Sequence, residues 1–250
     1  LMEWITRHRR ALAIFIFMGL LSSQIPARAL SSILPGSVIL TGVSGTIWSG
    51  SAARAWIEID QQPLMLGRVR WHIQPWRVLW SAPLSLSTTW GQQTLSAQLG
   101  YRLGGAIVLQ QAAFALNTQL LRAFFPLYLG GALSGEFAHI AIDEGHILDA
   151  EGVVRLQRGV WTANSGNVLL GDYQVDFSSA DIAGAGTAGA LKTMAGALVL
   201  SGELSATLTG YQVAIQATGP VARDESFRKA MSMLAIPNQE GFSVSLAGQY

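Results

Sequence analysis

The sequence predicts a mainly β fold: a long antiparallel sheet with two or three short helices, preceded by one N-terminal transmembrane helix. Three observations carry this reading. Apolar and polar residues alternate in segment after segment beyond residue 35. A single stretch, near the N-terminus, is apolar and free of charge over membrane length. The 250 residues are 50% hydrophobic yet only 12% charged, against about 25% charged in ordinary soluble domains.

Composition closes off several classes. Intrinsic disorder needs low hydrophobicity and high net charge, and this chain has neither. The net charge of +1 argues against a strongly basic nucleic-acid binder. A bundle of membrane helices would need several long apolar runs. Cysteine is absent, so there is no disulfide framework and no thiolate metal site. The small net charge hides an asymmetry: residues 1–130 hold 10 basic and 3 acidic residues, and residues 131–250 hold 6 and 12.

The first element in chain order is the apolar segment. Arg7, Arg9 and Arg10 precede residues 11–27, which are 17 uncharged residues. That is the short end of the range of about 17–25 for a spanning helix. Leu12, Ile14, Phe15, Ile16, Phe17, Leu20 and Leu21 form its apolar body. Three arginines before it against a lone Arg28 after it put the N-terminus in the cytoplasm. The predicted division is a cytoplasmic tail, 1–10, a transmembrane helix, 11–27, and an exported β domain, 28–250. A cleaved signal peptide is the rival, because Ala27-Arg28-Ala29 fits a small-residue cleavage site. Both readings export residues 30–250, and these residues do not decide between them.

The strands follow. Val69, Trp71 and Ile73 alternate with Arg68, Arg70 and His72. Leu84 and Leu86 alternate with Ser85 and Ser87, and Leu95, Leu99, Tyr101 and Leu103 with Ser96, Gln98 and Arg102. The same holds for Tyr173, Val175 and Phe177; for Leu198, Leu200, Leu204 and Leu208; for Tyr211, Val213 and Ile215; and for Phe242, Val244 and Leu246. Period two is the mark of strands with one dry face and one wet face. Gly91-Gln92, Gly104-Gly105, Gly145-His146 and Gly210 separate them and predict antiparallel hairpins.

Helical signals are few. Pro75–Trp80 has room for a turn or two. Asn117–Phe125 has a capping Asn and stops at Pro126. Asp224–Leu234 has Asp224 as N-cap, Phe227, Met231 and Leu234 at helical spacing, and Pro237 beyond. Gly45–Gly50, Gly131–Gly135 and Gly196–Gly202 look like a loose repeat in which bracketing glycines start a strand.

Motifs that would carry chemistry are weak. Gly184-Ala-Gly186-Thr-Ala-Gly189 matches G-x-G-x-x-G, but no apolar strand runs into it; a hairpin loop explains it better. His139, Asp143, Glu144 and His146 have metal-ligand chemistry, and a polar hairpin tip accounts for them. Glu58/Asp60 and Asp149/Glu151 share a wet strand face, as any such pair does. No nucleophile elbow, metalloprotease helix or phosphate loop is present. Tryptophans 48, 56, 71, 76, 80, 90 and 161 fit a core, or else a ligand groove. No catalytic, cofactor-binding or metal site is predicted.

Several segments together resemble a known family. They are Ile25-Pro-Ala-Arg-Ala-Leu30; Gly42-Val-Ser-Gly-Thr-Ile-Trp-Ser-Gly-Ser-Ala52; Leu66–Trp71 with Pro75; Trp161-Thr-Ala163; Leu170-Gly-Asp-Tyr173; and Leu200–Leu204 with Gly210-Tyr211. In this order and spacing they resemble the type II secretion system protein N family (general secretion pathway protein N). The residues that carry the likeness are Pro26, Arg28, Gly42, Val43, Ser44, Gly45, Trp48, Gly50, Trp71, Pro75, Trp161, Gly171 and Tyr173. Ile25 stands where the family usually has Leu.

The resemblance implies an uncleaved inner-membrane anchor, a periplasmic domain and a non-enzymatic role, without cofactor, in exporting folded proteins across the outer membrane. It implies the inner-membrane platform, its protein C component and the outer-membrane secretin as partners. It also implies an AsmA-like fold, in which a curved antiparallel sheet leaves an open groove. A periplasmic lipid-binding or lipid-handling groove protein is the alternative function. An outer-membrane β-barrel is a weaker one, suggested by Phe242, Val244, Leu246 and Tyr250 alternating at the C-terminus.

Overall fold

The computed structural model describes residues 22–59, 62–79, 82–102, 105–118, 129–143, 146–163, 166–179, 186–232 and 235–249. They form two compact units. The first holds the described residues up to Leu79 together with Pro83–Gly91, and the second holds Ala82 and the described residues from Gln92 onward.

The first unit is a meander of β1 (Val38–Gly45), β2 (Ser49–Ile59), β3 (Gln62–Ile73) and β4 (Leu84–Trp90), paired antiparallel in chain order. One face is apolar across the strands, as in the ladder Val43–Ala52–Val69. Ala27 and Leu30, from a 3-10 turn at Ala27–Ser32, pack on that face against Ala52, Ala55, Val69 and Trp71.

The β1–β2 turn ties down the chain before it. Trp48 Nε1 donates to Ser22 O at 2.7 Å. Ile47 N donates to Ile25 O at 3.0 Å, and Pro26 bridges to Thr46. Trp71 Nε1 in turn donates to the turn carbonyls of Thr46 and Ile47, at 3.3 and 3.1 Å. Gly45 faces Gly50, and Gly50 faces Trp71. A Cβ at Gly50 would stand 2.6 Å from Ser44 O and 2.9 Å from Trp71 Cε2. The indole can lie over the strand only because that side chain is missing.

The second unit runs β5 (Gln93–Tyr101), β6 (Ile107–Asn117), β7 (Leu129–Asp143), β8 (His146–Ala163), β9 (Gly166–Ser179), β10 (Gly186–Gly196), β11 (Val199–Thr207) and β12 (Gly210–Thr218). Two short helices follow, α1 (Pro220–Arg223) and α2 (Glu225–Met231), then β13 (Ile236–Pro237) and β14 (Gly241–Gln249). Neighbouring strands pair antiparallel in chain order up to β12, which pairs β14, and β14 pairs β13. Among the described residues β5 and β13 do not pair, so this unit is an open sheet and not a closed barrel. The strands β7, β8 and β9, of 15, 18 and 14 residues, exceed the usual length of about 5–6. Register shifts interrupt them, for example between Phe137 and His139. A bulge of this kind turns the next residues to the other face.

The mainly β reading therefore holds, and so do two of the three helical signals. Pro75–Leu79 is a 3-10 turn. Helix α2 begins where expected, with Asp224 accepting from Phe227 N at 2.9 Å. The segment 119–125 lies outside the described residues, while Asn117 ends β6. Three expectations are corrected. The three glycine-bracketed segments are not equivalent: Gly45 and Gly50 close a hairpin, Gly131–Gly135 lies inside β7, and Gly196–Gly202 joins β10 to β11. Gly186–Gly189 is strand and not loop. Leu208 falls in the β11–β12 turn.

Among the described residues no helix is long and apolar enough to cross a membrane. Most of the expected anchor, including Leu12, Ile14, Phe15, Ile16, Phe17, Leu20 and Leu21, lies outside them, as do Arg7, Arg9 and Arg10. Of its last residues, Ser22 and Ser23 are helical, and the chain leaves the helix at Gln24.

Candidate functional site

The candidate site is one face of the sheet in the second unit. Residues directly opposite on paired strands share a face, so the register can be read as rows across the sheet. One row runs Leu95–Phe114–Gly135–Val154–Val175–Leu191–Gly202–Ile215–Val244, from β5 to β14. Every member is apolar or glycine. The glycines make room for their neighbours: a Cβ at Gly135 would meet the ring of Phe114, 3.2 Å from Cδ1, and one at Gly202 would stand 3.0 Å from Ile215 Cγ1.

To one side of this row the face is covered by the chain itself. Trp161, Leu170, Tyr173, Leu198, Ala217 and Phe242 are buried there beneath Val221 and Ala222 of α1 and Phe227 of α2. Trp161 meets Phe227 edge-on, with ring centroids 5.0 Å apart at 75°, and Phe227 meets Phe242 at 5.9 Å. Polar atoms in this part are paired. Tyr173 Oη donates to Leu198 O at 2.9 Å. Burial pushes the Tyr173 phenol up, and the charge of Asp172 adds to the rise, so it remains a neutral donor. Thr193 Oγ1 donates to Leu200 O at 2.8 Å and accepts from Leu200 N at 2.6 Å. That hydroxyl continues the ladder where strand pairing stops.

To the other side no helix of the described residues covers the face, and a groove of about 220 Å³ opens. Its floor is the row Phe137–Gly152–Phe177–Gly189–Leu204–Val213. Ile140, Ile147, Ala150 and Tyr211 extend its walls. The rings of Phe137 and Phe177 lie 5.7 Å apart, over the two glycines. A Cβ at Gly152 would stand 2.5 Å from Phe137 Cδ1, and one at Gly189 would stand 3.1 Å from Phe177 Cε1. Such a surface has little to offer a polar or ionic ligand. It suits an aliphatic chain, or apolar side chains of a partner.

The opposite face is polar. Arg155 Nε donates to Gln174, Gln174 to Asp176 at 2.5 Å, and Lys192 Nζ pairs with Asp176 at 2.5 Å. The Lys192 and Gln174 hydrogen bonds hold the Asp176 carboxyl below the usual range. The bulge in β7 turns His139 onto this face, where its Nε2 lies 2.5 Å from Asp149 and its Nδ1 3.6 Å from Glu151. Burial raises the Asp149 carboxyl, but the hydrogen bonds and charge from Ser179 and His139 outweigh it and leave it lowered. The predicted cluster is thus split. Asp143 pairs with His146 at the hairpin end, and Glu144 lies outside the described residues. Among the described residues no group of three or more His, Asp or Glu is placed to hold a metal ion.

The other singled-out residues are structural in placement. Gly42 has φ +65°, and Val43 packs on the first core. Ser44 Oγ meets Ser51 Oγ at 3.1 Å. Arg28 is exposed in the first 3-10 turn, and Pro75 opens the second. Of the tryptophans, Trp71 and Trp161 are core, whereas Trp76 is exposed. Gly171 faces Gly196 across β9 and β10, with no room for a Cβ on either. The rows are not visible in any single strand. The signal was there, in glycines placed opposite aromatics, but only the register aligns it.

A mainly β meander whose apolar face is partly covered by its own helices and partly open offers a surface suited to binding or assembly. The comparisons make this particular. A family model described as type II secretion system (T2SS), protein N, matches residues 37–245, and the chain belongs to that family. It is similar to the type II secretion system protein N of Aeromonas hydrophila, with 32% identity over 133 residues, 49% of this chain and 51% of the relative. The chain thus spans about half the length of that curated relative. No solved structure matches it.

Proposed function

We propose that this protein is an accessory, structural component of the type II secretion system that takes part in exporting folded proteins across the outer membrane. Residues 11–27 hold it in the inner membrane, residues 1–10 stay in the cytoplasm, and residues 28–250 work in the periplasm. The inner-membrane platform with its protein C component and the outer-membrane secretin are its partners. The observation that carries this reading is the family match over 37–245, which takes in nearly all of both units. The tie from Trp48 to Ser22 supports it, because the β1–β2 turn grips the last residues of the proposed span. Deleting the gene in a host with an active type II system tests it. The cargo should then be held in the periplasm and missing from the medium, with recovery on complementation. Undiminished secretion contradicts the proposal.

The open groove favours a second reading, a lipid-handling role for the apolar face. Native mass spectrometry of the protein released from membranes should then show a bound lipid. A protein that is empty, yet still cross-links to secretion partners, removes this reading.

A further inference from the structure

The first unit has a second face, opposite the one that Ala27 and Leu30 cover, and it gathers cations. Arg68 and Arg70 stand two apart on β3, with Thr89, Ser51 and Ser87 as their cross-strand neighbours. A register shift lies between the pairs Ala52–Val69 and Ala55–Gly67, so Ala53 and Arg54 of β2 face the single residue Arg68. Arg54 itself is opposite Thr41. All three arginines are exposed, and among the described residues none has an ion pair or side-chain hydrogen bond. His72 follows on the same face, between Ser49 and Ser85. The described carboxylate on this face, Glu58, is opposite Pro63, about 13 Å along β2 from Arg54.

Like charges on neighbouring strands repel, so the cluster weakens the unit unless an anion meets it. Guanidinium forks suit phosphate oxygens, which they bind in pairs of parallel hydrogen bonds. Beside the arginines an apolar row, Ile39–Trp56–Met65, crosses three strands on the same face, and Ile39 is 55% exposed. Arginine next to an exposed isoleucine and a half-buried indole is the chemistry of a lipid headgroup boundary. An acidic protein would use the arginines and leave the apolar row unexplained. Pro26, at the end of the proposed span, bridges directly to Thr46 of this unit, so no free linker separates the two.

We propose that this face docks on anionic lipid headgroups of the membrane that holds the anchor. Arg54, Arg68 and Arg70 take the phosphates, and Ile39, Trp56 and Met65 enter the boundary layer. The inference rests on the anchored reading above, and the test separates the two. The chain has no cysteine, so I39C accepts a single polarity-sensitive fluorophore. The full-length labelled protein is mixed with vesicles of phosphatidylcholine alone, or with phosphatidylglycerol added.

The anchor predicts co-sedimentation with both vesicles. The docking face predicts a blue shift of the label only with phosphatidylglycerol, reversed by salt. Replacing all three arginines with serine should weaken docking about 100-fold without loosening the anchor. No shift, or an equal shift on both vesicles, overturns the inference while leaving the anchor intact. A shift produced equally by soluble polyglutamate reassigns the face to acidic proteins and also overturns it. Failure to sediment with neutral vesicles refutes the anchor, and the salt-sensitive shift then decides the face alone.

Discussion

Gly171 and Gly196 face each other across β9 and β10, with φ of +143° and +141°. Both angles lie in a region that is essentially reserved for glycine. A Cβ at Gly171 would lie well inside contact distance of Ala195 O and 2.8 Å from Gly196 Cα. These are backbone atoms, so no side chain can swing away to relieve the clash. Gly171→Ala therefore meets two costs. The backbone strain is about 1–3 kcal/mol, and forcing the strands apart beside the Trp161–Tyr173 core is about 1–3 kcal/mol more. A loss of about 4 kcal/mol would be a large part of the about 5–15 kcal/mol that holds a domain together. Gly166→Ala is the control, because Gly166 has φ +129° but nothing within 4 Å of a Cβ. It should meet only the strain, about 1–3 kcal/mol. Urea titration of the full chain, read by pulse proteolysis, measures both. Equal losses at the two sites, or a loss below about 1 kcal/mol at Gly171, would refute the steric argument.

Gly189→Leu should fill the groove between Phe177 and Leu204. On the lipid-handling reading it abolishes uptake of a fluorescent fatty acid, while membrane attachment stays unchanged. Trp48→Phe removes the hydrogen bond to Ser22 O; hydrogen exchange over 22–30 should quicken, with a global loss of about 1 kcal/mol. Asp224 is held below the usual carboxylate range by Ser226 and the Phe227 backbone N–H. Its support for α2 is therefore complete above the unfolded value of about 3.9 and fades as pH falls through the lower folded value. Asp224→Asn should flatten that acid limb of the unfolding curve. Lys192→Ala breaks only an exposed pair, and should change stability by less than about 1 kcal/mol.

Much of this fold could be read from the chain because each strand has one dry face. Val175 and Phe177, or Val213 and Ile215, announce period two without help from neighbours. Asp224 announces a helix start because its side chain bonds a residue three positions on. What stayed hidden depends on partners distant in sequence. Nothing near Gly135 or Gly202 says that each sits in a row spanning nine strands. The bulge after Phe137 reverses the facing of His139 and Ile140, and no local pattern marks it. His139 therefore looked like part of a cluster with Asp143 and His146, when the strand returning through Asp149 and Glu151 supplies its partners. The type II secretion resemblance was legible because Gly42–Ala52 forms one hairpin, in which Gly45 faces Gly50 over a few residues.

The account depends most on residues 11–27 being kept as an anchor. The direct measurement is N-terminal analysis of the mature protein together with fractionation of the two membranes. The account predicts a chain that retains residues 2–29 and sediments with the inner membrane. A mature chain that starts at Leu30, or that is released with the periplasm, would contradict it.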